Sequence, residues 1–137
     1  MEWAALIMWV ATAGLGFLML VGWLKRSGMK QSQGIRPLLI LGHFLLAATG
    51  LVIWIAYLAT DTDSLAWIAF VILAVVALLG WTMFAIWYQR RHTGGAVPEA
   101  LDSGTPAEQH FPVPVIALHG VLAVTTVLLV LLTALDV

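Results

Sequence analysis

Two histidines, His43 and His119, are the side chains of this chain with the most chemistry to offer, because each lies inside a long apolar run that holds no Asp, Glu, Lys or Arg. A neutral imidazole presents one nitrogen as a donor and the other as an acceptor or metal ligand. Left unpaired in hydrocarbon such a group is expensive, so each ring is expected to have a partner. Two further histidines, His92 and His110, fall in a polar connection, where a solvated ring is the default. Cysteine is absent, which excludes disulfides and thiolate metal sites.

The elements that must carry these rings follow from composition. The 137 residues are 62% hydrophobic and 9% charged, with a mean hydropathy of +1.02; soluble domains average about 25% charged residues, so a bilayer is the expected solvent. Uncharged runs over 3–24, 37–59, 65–88 and 112–135 are each long enough for a helix to cross about 30 Å of hydrocarbon. Barrel strands would be shorter and would alternate. The fold class read from the chain is therefore all-α: one domain over 1–137, a four-helix transmembrane bundle running up-down-up-down. The start, Met1-Glu2-Trp3, lacks a basic segment and reads as a retained first helix rather than a cleaved signal.

Charge sets the orientation. Lys25, Arg26, Lys30, Arg36, Arg90 and Arg91 all fall in the first and third connections, whereas Glu2, Asp61, Asp63 and Asp136 lie at the other ends of the spans. The positive-inside rule then places both termini outside, in a multi-pass protein expected in a bacterial plasma membrane. The third connection, rich in Gly, Pro and Ala, is expected to be partly mobile. Trp3, Trp9, Trp23, Trp67, Trp87 and Tyr88 lie toward span ends as interfacial anchors, and the deeper Trp54 and Trp81 are read as packing residues.

The depth of the histidines is informative. His43 and His119 each stand about seven residues, or roughly 10 Å, beyond the start of spans 2 and 4, which run in the same direction. Counting the same distance back from the ends of spans 1 and 3 arrives at Gly16 and Gly80. Two imidazoles at one level, facing two positions without side chains, form the layer that a flat macrocycle with a central iron requires. Ala47 and Gly50 beyond His43, and Gly120, Ala123 and Thr126 beyond His119, are small neighbours, while Met19, Leu20, Met83 and Phe84 are candidate walls. Arg36, Arg90, Arg91 and His110 supply positive potential where haem propionates would emerge.

On these residues the chain resembles the membrane b-type cytochromes, in which a four-helix bundle holds haem between histidines of different helices. The runs Leu41-Gly42-His43-Phe44 and Leu118-His119-Gly120 carry the likeness, with the glycine pair. The resemblance implies one non-covalently held haem b with His43 and His119 as iron ligands, and Gly16, Gly80, Ala47, Ala123, Arg36 and His110 around the cofactor. It implies a relay of single electrons near the cytoplasmic face, as an electron-transfer protein rather than a stand-alone enzyme. Its expected partners are a membrane quinone, a larger respiratory complex or a second copy.

Other classes fare less well. Two histidines without carboxylates or thiolates would leave zinc or copper poorly saturated. With no intramembrane charge and no interrupted helix, transport loses its usual machinery. No phosphate loop, nucleophile triad or nucleic-acid patch is present. The alternative from another class is a non-catalytic accessory or assembly subunit of a larger membrane complex.

Overall fold

Hydrocarbon offers backbone amides no water, so a long apolar run closes its hydrogen bonds within itself. The computed structural model describes residues 1–30, 34–93 and 105–136, and within them the protein is all-helical, with no strand. The long helices are α1 (Glu2–Lys25), α2 (Pro37–Thr60), α3 (Asp63–Thr93) and α4 (Val113–Ala134), and each is long and apolar enough to cross a membrane. Short 3-10 turns cover Gly28–Lys30 and Ala107–His110.

Local chemistry explains where the helices stop. Proline opens α2 at Pro37 and precedes α4 at Pro112, where a missing N–H costs nothing. Ser27 after α1 (φ 59°) and Asp61 after α2 (φ 51°) turn into the left-handed region that ends a helix, and the Asp61 N–H closes on the Tyr57 carbonyl at 2.8 Å. Every boundary agrees with the apolar runs to within two residues except the end of α3, which continues from 88 to Thr93. Its 31 residues rise about 46 Å, well beyond the roughly 30 Å of hydrocarbon. The extension carries Arg90 and Arg91, cations that a helix carboxyl end favours, followed by His92. His92 is used locally: its ring lies 4.1 Å from that of Tyr88, and its Nδ1–H donates to the Tyr88 carbonyl at 2.9 Å. The expectation of a mobile third connection falls on 94–104, outside the described residues.

Each long helix packs on two others: α1 on α2 and α4, and α3 on α2 and α4. Two buried clusters lie along this ring. The first gathers Ala5, Trp9, Trp54, Tyr57, Ala66, Ala69, Leu73 and Val130; the second joins Leu20, Trp23 and Ala107, with Ile40, Leu41, Phe44 and Phe111 against them. Beyond the second cluster the connections are stitched together. The buried Glu108 carboxylate accepts the Ile35 N–H at 2.7 Å, and the Gln109 amide donates to the Trp87 carbonyl at 3.4 Å. Gly34, at φ 98°, permits the first of these contacts, because a Cβ there would fall on the Glu108 carboxylate.

The tryptophans sort differently from the expectation of end anchors. Trp3 and Trp67 are exposed, as anchors are, but Trp9, Trp23 and Trp87 are buried in the interior. Nearness to a helix end fixes depth in the membrane and says nothing of which face the residue occupies. Trp54 is fully buried and packs, whereas Trp81 is exposed and meets Phe84 edge-on at 5.9 Å. Leu18, Leu38, Leu78 and Trp81 present the outward apolar surface that a bilayer covers.

Candidate functional site

Between the two clusters, the His43 and His119 rings stand 6.5 Å apart, centroid to centroid, with 55° between their planes. Each is half-buried. His43 on α2 reaches across to α3, where its Nδ1 lies 3.0 Å from the Val76 carbonyl; His119 on α4 reaches to α1, with Nδ1 3.1 Å from the Thr12 carbonyl. A carbonyl only accepts, so both rings carry their proton on Nδ1. Each Nε2 then holds a free lone pair, and neither makes a hydrogen bond among the described residues.

The glycines explain how the rings get there. Thr12 lies one turn before Gly16, and Val76 one turn before Gly80, so each bonded carbonyl is the one covered by the next residue along that helix face. A Cβ at Gly16 would stand 3.2 Å from His119 Cε1, and one at Gly80 would stand 3.3 Å from His43 Cε1. Both distances are tighter than an ordinary contact. Glycine at these two places uncovers a backbone acceptor and seats the imidazole against the neighbouring helix. The four residues read as one layer are therefore brought together, each glycine lying against an imidazole.

No family model matches the chain, and no curated protein or solved structure matches it. What the site can do follows from its own atoms. Among the described residues no three His, Cys, Asp or Glu side chains gather as a metal-binding group. Two imidazoles can complete only a metal that arrives with its other positions filled, as the iron of a porphyrin does. With metal–nitrogen bonds of about 2.0 Å and about 1.15 Å from ring centre to nitrogen, two imidazoles on opposite sides of one ion stand about 6.3 Å apart. The 6.5 Å separation fits that span.

The surrounding residues divide. Ala47 and Ala123, one turn on from His43 and His119, are half-buried, as are Met19 and Met83, and Leu20 is buried. Gly50 is filled from another side: its missing Cβ would lie 3.0 Å from the Trp9 ring. Gly120 and Phe84 are exposed, so neither walls an interior pocket. Arg36 and His110 sit in separate grooves. Arg36 borders one of about 270 Å³ with Leu39, Gly42 and Leu79, and His110 borders one of about 290 Å³ with Arg26, Met19 and Phe111. Arg90 and Arg91 are exposed, and the Arg91 guanidinium rests 5.3 Å over the Trp87 ring.

The acceptors on Thr12 and Val76 are backbone atoms and leave no mark in side-chain types. An internal echo does. Adding 64 to Trp3, Ala5, Gly16 and Trp23 gives Trp67, Ala69, Gly80 and Trp87, and adding 76 to His43 and Trp54 gives His119 and Val130. Ala5 and Ala69 are both fully buried, as are Trp54 and Val130. The site is thus built from two similar contributions, and that correspondence singles out Gly16 and Gly80 from the other glycines.

Proposed function

We propose that this protein is a mono-haem, bis-histidine membrane cytochrome b that relays single electrons. The observation that carries the proposal is the close imidazole pair, 6.5 Å between ring centres, each with Nδ1–H held by the backbone of a neighbouring helix and Nε2 left as a free lone pair. A histidine that merely ties two helices together has no use for a second ring at this distance. In this proposal the helices form an up-down-up-down bundle with both termini outside, and the basic ends of α1 and α3 face the cytoplasm.

When bound, the haem supplies a reversible one-electron couple. The protein's residues supply the rest. His43 and His119 would hold the iron, and with two imidazoles engaged the bound group would serve electron transfer rather than oxygen chemistry. The carbonyls of Val76 and Thr12 fix each ring's tautomer and direction, and by accepting from Nδ1–H they make Nε2 a more basic ligand. The buried clusters on either side keep water from the layer, and the basic connections offer an attractive surface to an acidic partner or a quinone head group.

Protein purified after expression with ample haem should show a Soret band and, once reduced with dithionite, sharp low-spin α and β bands. His43→Ala or His119→Ala should remove the low-spin spectrum. A colourless protein, or two variants with the wild-type spectrum, would end the proposal; a colourless protein held in a larger complex would point to an accessory subunit instead.

A further inference from the structure

Two open grooves mark the basic half of the molecule, one lined by α1 with the start of α4 and one by α2 with α3. Their walls correspond through the internal echo: adding 64 to Leu15 of the first gives Leu79 of the second, and adding 76 to Leu39 of the second gives Val115 of the first. Each groove has a glycine in its wall, Gly22 or Gly42, and an arginine at its basic end, Arg26 or Arg36. The arginines are not echoes of one another, since Arg26 answers to Arg90 and Arg36 to Pro112. Both grooves thus acquire a cation at the same end from unrelated positions. Topology asks for cations in these connections but not inside grooves, and Lys25, Lys30 and Arg90 line neither.

The Arg26 side chain shows how such a cation is placed. Side chains lean toward the amino end of their helix, and α1 ends at the basic side, so Arg26 folds back over the span. Its Nη1 lies 3.9 Å from where a Cβ on Gly22 would stand, one turn toward the hydrocarbon. His110 borders the same groove from the α4 side and brings a ring N–H donor. Inward from Arg26 the wall turns apolar through Met19, Leu18 and Leu15. From Arg26 to Leu15 the helix falls by about 16 Å, close to half of the roughly 30 Å of hydrocarbon. In the second groove a Cβ on Gly42 would meet no atom within 4 Å, so the trough there is open.

We infer that each groove binds one anionic phospholipid from the leaflet at the basic end, with its phosphate on Arg26 and His110 in one groove and on Arg36 in the other, and an acyl chain along the apolar trough. A groove that is cationic at the membrane surface and apolar for one leaflet's depth has the polarity of such a lipid, read from phosphate to chain. Basic pockets between transmembrane helices suit anionic head groups, and a guanidinium, charged at any ordinary pH, matches phosphate with a fork of donors. A neutral quinone would leave that charge without a counter-ion, and a free phosphate would leave the trough unused. The inference is independent of the cytochrome proposal, and a colourless protein would leave it standing.

The full chain in detergent is titrated with phosphatidylglycerol or with phosphatidylcholine of the same acyl chains, and retained lipid is counted by native mass spectrometry. Wild type should retain two phosphatidylglycerols and release phosphatidylcholine. Arg26→Gln and Arg36→Gln should each weaken one site by about tenfold to a hundredfold, the scale of a lost hydrogen bond to a charged group, and the double variant should retain neither lipid. Lys25→Gln removes a charge beside Arg26 but outside the groove, and should keep both. Gly42→Leu leaves Arg36 in place and fills the trough, and should release one. Excess glycerol phosphate should displace neither lipid. Equal retention of phosphatidylcholine, a loss in Lys25→Gln equal to that in Arg26→Gln, full retention in Gly42→Leu, or displacement by glycerol phosphate would each overturn the inference, the last by reducing the site to one for a free anion. Should the variants fold poorly, wild type in vesicles is labelled with either lipid carrying a photoreactive group on its chain: labelling over 15–22 and 38–42 should be stronger from phosphatidylglycerol, and equal labelling from the two defeats the assignment.

Discussion

The cluster around Trp9 and Trp54 and the layer around His43 and His119 use one device for two ends. In both, a glycine on one helix makes room for a ring from another: Gly50 lies under Trp9, Gly16 under His119, and Gly80 under His43. In the tryptophan cluster the rings pack on one another, with Trp9 and Trp54 6.4 Å apart and Tyr57 4.9 Å from Trp54. In the histidine layer the ring spends one nitrogen on a carbonyl and keeps the other. A ring seated on glycine is thus a packing motif, and a ring that also keeps an uncommitted lone pair beside a second such ring is what the proposed site requires.

If that distinction holds, stability and spectrum should separate. The largest effect on stability is expected at Trp54→Ala, which empties the fully buried centre of the tryptophan cluster. Loss of about 3–5 kcal/mol is the usual scale for such a change. Gly50→Ala, which drives a methyl to 3.0 Å from Trp9, should cost about 1–3 kcal/mol by overpacking. Thermal unfolding in detergent, followed by helical circular dichroism, measures both. Neither variant should move the low-spin bands of haem-loaded protein, and a displaced or lost α band in either would show that the two regions are one unit.

Much of the helical plan can be read directly from residue types, because bilayer thickness converts an uncharged run into a helix of known length. That is why the starts at Glu2, Pro37, Asp63 and Val113 lie within two residues of the apolar boundaries. The end of α3 escaped this logic, since a helix need not stop where the hydrocarbon does, and Gln89 to His92 continue it into the polar region. At the site, the depth of His43, His119, Gly16 and Gly80 was legible because helix rise is constant. The partners of the imidazoles were not, since the Thr12 and Val76 carbonyls are backbone atoms, as every residue has. The inward turn of Trp9, Trp23 and Trp87 was hidden for a related reason: these helices are apolar on nearly every side, and no polar stripe marks the face that points to lipid.

Changes at the two site glycines should sharpen the comparison from the other side. Gly80→Ala places a methyl 3.3 Å from His43 Cε1, and Gly16→Ala places one 3.2 Å from His119 Cε1. Each ring must then move a few tenths of an ångström away from its carbonyl. Weakening that hydrogen bond costs about 1 kcal/mol, equivalent to roughly fivefold faster haem loss. It also makes Nε2 less basic, so the reduced iron gains relative to the oxidised and the reduction potential rises. Potentiometric titration checks the sign. A fall, or a change no different from that of Gly50→Ala, would separate the glycines from the proposed haem site.

The smallest effect is expected where glycine faces nothing. A Cβ at Gly14 or Gly120 would meet no atom within 4 Å, although Gly14 lies two residues from Gly16 and Gly120 adjoins His119. Two residues along a helix turn the side chain through roughly 200°, so Gly14 points away from the layer that Gly16 faces. Alanine there fills space that lipid would otherwise occupy and restricts the unfolded chain. Gly14→Ala and Gly120→Ala should therefore leave spectrum, potential and haem retention at wild-type values and raise stability by up to about 1 kcal/mol. The pair tests whether position on the helix face, rather than nearness in sequence to the histidines, decides which glycines matter: a shifted potential in Gly14→Ala or Gly120→Ala would mean that the layer extends beyond the four residues whose atoms touch.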